Sequence, residues 1–120
     1  MAEGDGLRKD PVLGVEAVGQ AWVVKLGGEL DLYNASQVRD ALAVATADSP
    51  QRVVVDLSEV EFIDSTALGV LIEARSKLNN RRAFLLAAPG LETRRALEIS
   101  GLDRHFMVHD SVSEALLAKL

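Results

Sequence analysis

The sequence predicts an α/β domain, a mixed and mostly parallel β-sheet flanked by about four α-helices. Three observations carry that reading. Two strand-like runs come first with only a tight turn between them, as in an antiparallel hairpin. Three alternations of strand and helix follow. The run "RVVVDL" within them is apolar without alternation, as in a strand covered on both faces of a parallel sheet. At 120 residues the chain has the size of one domain, set at residues 12–120 behind a flexible tail over 1–11 that is Gly-rich and charged.

The hairpin consists of "VLGVEAV" and "AWVVKL", joined at Val18-Gly19-Gln20, and Trp22, Val24 and Leu26 share one face of its second strand. A helix over about 34–47 follows, because Ala35, Val38, Leu42 and Ala45 recur at helical spacing. Asn34 with Gln37 resembles a capping box at its start. After "RVVVDL" a second helix begins near Ser65, and "RAFLLAA" is the next strand. "GLETRRALEIS" is the third helix, closed by Gly101 as C-terminal cap. "HFMV" is a weaker strand, and "SVSEALLAKL" is the last helix, with Ser111 and Glu114 as a capping box.

Composition narrows the function classes. An apolar share of 48% against 26% charged residues is the balance of a folded soluble domain. No apolar run approaches a membrane span and the N-terminal stretch has no apolar signal core, so a cytoplasmic protein without membrane contact is expected. The absence of cysteine removes disulfides, thiol catalysis and thiolate metal sites. A net charge of -5 with no basic cluster argues against a nucleic-acid partner. A protein partner or a small ligand is left.

The segment "EFIDSTALGVL", residues 61–71, holds the candidate site. For a helix starting at Asp64 or Ser65, Ala67, Leu71, Ala74 and Leu78 fall on one side and pack on the sheet. Ser65, Gly69, Ile72 and Ser76 form the opposite, solvent-facing stripe. Most solvated helix faces carry Glu and Lys; a stripe of small residues with one isoleucine, and a glycine that lets another backbone approach, suits docking. The plainer reading is that Asp64, Ser65 and Thr66 are N-cap residues with no further duty. A phosphate on Ser65 would also be accommodated, since helix N-termini favour anions.

"VVVDLSEVEFIDSTALGVLIEA", together with "GGELDLYNA" and "EISGLDRHFMVHDSVSEAL", resembles the STAS domain of bacterial anti-anti-sigma factors, the anti-sigma factor antagonists, and the resemblance runs from Val12 to Leu120. It implies the STAS fold and a partner-switching cycle. The unphosphorylated protein binds an anti-sigma factor that is also a serine kinase, which frees a sigma factor. The kinase, using ATP and magnesium in its own site, phosphorylates the serine and the complex separates; a serine phosphatase resets it. Carried over by position, Ser65 is the phosphoacceptor, Asp64, Thr66 and Gly69 surround it, and Asp31 in "GELD" contacts the kinase from the neighbouring loop. With Ile72 and Ser76 from the exposed stripe, these make the expected partner face. Ala67 departs from the glycine usual in the family, which stiffens the first helical turn and bears on the fit to the partner.

The same residues admit other readings. Ser65 as a hydrolase nucleophile with His105 or His109 as base lacks a G-x-S-x-G elbow and a third member. The two histidines, four apart on the weak strand, could share a face and bind a metal, yet two ligands are too few for an ordinary zinc site. Gly27-Gly28 is too short for a phosphate loop. Arg81-Arg82 and Arg94-Arg95 read as solvated helix ends. A STAS scaffold that binds partners without being phosphorylated is the remaining alternative. The expectation is therefore a monomeric non-enzyme with no cofactor or metal of its own.

Overall fold

The computed structural model describes residues 10–47 and 49–120. Of the expected tail, residues 1–9 lie outside the described residues. Five strands form one sheet in the order of the chain: β1 (Val12–Val18), β2 (Ala21–Leu30), β3 (Arg52–Ile63), β4 (Phe84–Ala87) and β5 (Met107–His109). The β1/β2 pair is antiparallel and the other three pairings are parallel. The helices are α1 (Ala35–Ala47), α2 (Ser65–Ser76), α3 (Leu91–Ser100) and α4 (Val112–Leu117). This is the α/β architecture with a mixed, mostly parallel sheet that the pattern predicts.

Strand order explains where the helices lie. From β2 onward each parallel crossover moves one strand in the same direction, and crossovers of one hand then place every connecting helix on the same face. Accordingly α1, α2 and α3 share the larger core, which includes Val38, Leu42, Leu71 and Leu97. α4 follows the last strand, is no crossover between two strands of this sheet, and covers the other face, where Ala115 packs with Val23, Val54, Leu85 and Ala87. Alternate residues of one strand therefore enter different cores: Val53 and Val55 one, Val54 the other. That double burial is why "RVVVDL" reads as an unbroken apolar run.

Several local expectations change. β2 and β3 are longer than their apolar runs, because pairing continues through Gly27-Gly28 and through Ser58–Ile63 with slips of register. Gly28, at φ +74, takes a conformation that side-chain-bearing residues resist and sits at one slip. The glycine pair thus belongs to a strand irregularity. The helix begins at Ala35, but Asn34 does not form the capping box with Gln37: its side chain turns back, accepting from Asp31 N at 2.9 Å and donating to Glu29 O at 2.8 Å. A buried amide with two backbone partners inside a tight loop has nothing left for the helix. Ser111 does cap α4, accepting from Glu114 N at 3.1 Å, and Gly101 closes α3 at φ +78.

"HFMV" shortens to a strand over Met107–His109, because Leu102–Arg104 winds into a 3-10 turn and Phe106 is buried against Phe84, centroids 6.0 Å apart. "RAFLLAA" likewise contributes only Phe84–Ala87, after a 3-10 turn at Arg81–Ala83. The last helix stops at Leu117. Arg94, at the solvated start of α3, also bonds Asp110 at 3.0 Å and Pro89 O at 3.1 Å, tying α3 to the segment after β5.

Candidate partner-binding site

The candidate site forms where β2 and β3 end side by side, Leu30 opposite Ile63. Carboxyl ends of adjacent parallel strands are where α/β sheets present functional loops. The chain leaves β3 through Asp64, whose extended backbone (φ -98, ψ 178) breaks the strand and starts α2. Asp64 is the N-cap: its Oδ1 accepts from Ala67 N at 2.9 Å, and its carbonyl accepts the first helical bond from Leu68 N at 3.0 Å. Its Oδ2 accepts from Leu32 N at 3.1 Å, and its own N–H donates to Leu30 O at 3.0 Å. One residue therefore caps α2 and holds the loop between β2 and α1.

Because Asp64 performs the capping, Ser65 is relieved of it. Ser65 is the first residue of α2 and is exposed, as is Thr66. The helix faces follow the expected division. Ala67, Leu71, Ala74 and Leu78 are buried, joined by Leu68 and Val70, while Ser65, Gly69, Ile72 and Ser76 are exposed. Ile72 is 41% exposed where its neighbour Leu71 is 0%. Ala67 is 1% exposed, so its methyl packs into the core and adds nothing to the open stripe. The effect of this departure from glycine falls on packing and on the stiffness of the first turn.

Among the described residues, nothing lies within 4 Å of where a Cβ on Gly69 would stand. No close approach by a described residue accounts for a glycine in mid-helix, where it weakens the helix by about 1 kcal/mol relative to alanine. Ser76 donates to Glu73 O at 2.6 Å, so its hydroxyl turns toward its own helix. Beside the stripe, Glu73 pairs with Arg39 at 3.2 Å and Lys77 at 3.9 Å, joining α2 to α1 at the surface. Both pairs are solvated and contribute little to stability; they define a charged flank for the apolar and small stripe.

Asp31 is half-buried in the loop after β2, with its Oδ1 accepting from Tyr33 N at 3.0 Å. It stands beside the Asp64 cluster as its position in "GELD" implies, since Leu32 N bonds Asp64 directly. The sequence reading did not single out Leu32, Tyr33 and Phe62, which are 62%, 78% and 50% exposed. Leu32 and Tyr33 lie in the loop held by Asp64, and Phe62 precedes Asp64 by two residues. Large apolar residues at the end of a strand and in the next loop are the signal that could have found them.

The histidines do not gather at Ser65. His105 follows the 3-10 turn and its carbonyl accepts from Arg75 Nη1 at 2.8 Å, ten residues along α2 from Ser65 and so about 15 Å away. His109 ends β5, two strands from β3 and therefore about 10 Å from it. His105 and His109 also fail to share a strand face, because His105 is outside β5. Among the described residues no three His, Asp or Glu side chains are grouped as metal ligands would be, and no helix is long and apolar enough to cross a membrane.

Comparison with known proteins agrees with this geometry. The family model for the STAS domain matches residues 13–115. The chain is 36% identical over 94 residues to an anti-sigma-F factor antagonist of Mycobacterium tuberculosis, covering 78% of this chain and 77% of that protein. It is 39% identical over 79 residues to an anti-sigma-B factor antagonist of Listeria monocytogenes, covering 64% of this chain and 68% of the other. The crystal structure of an anti-sigma factor antagonist from Mycobacterium paratuberculosis superimposes with a TM-score of 0.80 at 36% identity, over 86% of this chain and 88% of that one. The fold, the matched span and these relatives together establish that the chain belongs to the STAS domain family.

Proposed function

We propose that this chain is an anti-sigma factor antagonist whose binding is switched off by phosphorylation of Ser65. The observation that carries the reading is the division of labour at the start of α2: Asp64 caps the helix, and Ser65 stands exposed at the head of a stripe with Gly69 and Ile72. The relatives named as anti-sigma factor antagonists support the partner class. In this reading the unphosphorylated protein docks Ser65, Thr66, Gly69, Ile72 and Ser76 with the adjoining Asp31 and Asp64 on an anti-sigma factor that is a serine kinase, and a sigma factor is released. It acts as a cytoplasmic monomer and by binding alone.

The kinase supplies the chemistry. Ser65 Oγ forms a bond to the γ-phosphorus of ATP, the bond from that phosphorus to the ADP oxygen breaks, and the hydroxyl proton passes to the kinase. About -1.5 to -2 of charge then stands at the centre of the docking face. Repulsion from Asp64 and the cost of desolvating phosphate oppose rebinding. A serine phosphatase restores the hydroxyl.

The test is incubation with candidate anti-sigma kinases of the same genome and Mg-ATP, followed by location of the phosphate by mass spectrometry. Phosphate on Ser65, lost in Ser65→Ala, supports the reading. Phosphate on Thr66 alone, or binding without any phosphate, returns the protein to a non-switching STAS scaffold.

A further inference from the structure

The loop between β2 and α1 carries Leu32 and Tyr33 in the open, and an exposed segment of that kind wanders unless tied. Part of it is stitched internally, by Asn34 to Asp31 N and Glu29 O and by Asp31 Oδ1 to Tyr33 N. The Asp64 carboxylate ties it to α2, with Oδ2 on Leu32 N and Oδ1 on Ala67 N. We propose that Asp64 is a positioning residue that fixes the Leu32–Tyr33 tip against the first turn of α2, and that a phosphate on Ser65 releases it. The second half rests on the reading of Ser65 as phosphoacceptor.

A phosphoserine next in sequence to Asp64 brings three acceptor oxygens and a larger negative charge to the same helix start. The N–H groups of the first turn and the positive end of the helix dipole draw it in. It competes with Oδ1 for Ala67 N and repels the carboxylate as a whole. Once Asp64 swings out, Oδ2 no longer meets Leu32 N. A neutral hydroxyl does neither. Phosphorylation therefore changes the shape of the apolar tip as well as the charge beside it.

The test uses 15N-labelled full-length chain in three forms: with Ser65, with phosphoserine incorporated at 65 during synthesis, and with Asp64→Asn. Asparagine caps a helix as well as aspartate but offers one acceptor oxygen where the carboxylate offers two. In both altered forms the Leu32 amide proton moves upfield and exchanges with water about fivefold faster, the effect of losing one hydrogen bond, while the Ala67 amide stays bonded. A Leu32 amide unmoved by Asp64→Asn overturns the positioning role. One moved by Asp64→Asn and unmoved by phosphoserine overturns the release. Because the phosphate is installed without a kinase, the outcome does not depend on whether any kinase modifies Ser65.

Discussion

Replacing Gly69 with alanine sets stability against binding. The new methyl meets nothing within 4 Å among the described residues. The helix gains roughly the glycine-to-alanine difference, about 1 kcal/mol. At about 2.1 cal/mol/K of unfolding entropy per residue over 120 residues, that raises the melting temperature by about 4 °C. On the partner side the same methyl stands where another backbone would lie closest, on the exposed stripe with Ser65 and Ile72. Overpacking there costs about 1–3 kcal/mol, or about fivefold to a hundredfold in affinity. Thermal unfolding and calorimetric titration against the kinase identified by the phosphorylation screen read the two signs separately. A fall in melting temperature would mean that the glycine is required by the fold. A rise with unchanged affinity would mean that no partner comes close at Gly69, and the docking stripe would lose its strongest residue.

Ile72→Glu should change stability by less than about 0.5 kcal/mol while weakening the partner by about 2 kcal/mol or more, whereas Leu71→Glu, which buries an unpaired carboxylate, should unfold the domain; urea titration of both variants checks it, and the reverse outcome would show the helix faces exchanged. Ala67→Gly, which restores the residue usual in the family, removes a buried methyl and raises the flexibility of the first turn. It should cost about 1–2 kcal/mol in the same titration and leave partner affinity near wild type; an affinity change beyond tenfold would place Ala67 in the interface.

The sheet and the two faces of α2 were legible because both are written in hydrophobic periodicity. Double burial of β3 makes an unbroken apolar run, and the spacing of Ala67, Leu71, Ala74 and Leu78 survives packing unchanged. Boundaries were less legible where backbone pairing outlasts the apolar pattern, as through Gly27-Gly28 and Ser58–Ile63. Asn34 was misread for a different reason: Asn-x-x-Gln matches a capping box locally, and its actual partners Asp31 and Glu29 lie upstream in a turn that spacing does not reveal. The double use of Asp64 was out of reach of any local pattern, since Leu32 and Asp64 are joined only when β2 and β3 lie side by side. Once that pairing is known, Asp64 is seen to be the cap, and Ser65 is exposed beside it without that duty.

The most direct test of the switch is a titration of the kinase, with nucleotide present, against three folded proteins: wild type, Ser65→Ala and Ser65→Asp. In wild type Asp64, and not Ser65, caps α2, and an unfolding curve for each variant separates a loss of binding from a loss of fold. Ser65→Ala should bind as tightly as unphosphorylated wild type, and Ser65→Asp, with one negative charge where phosphate brings nearly two, should bind at least about tenfold more weakly, a loss of about 1.4 kcal/mol. Equal affinities for Ser65→Ala and Ser65→Asp would contradict a switch at Ser65.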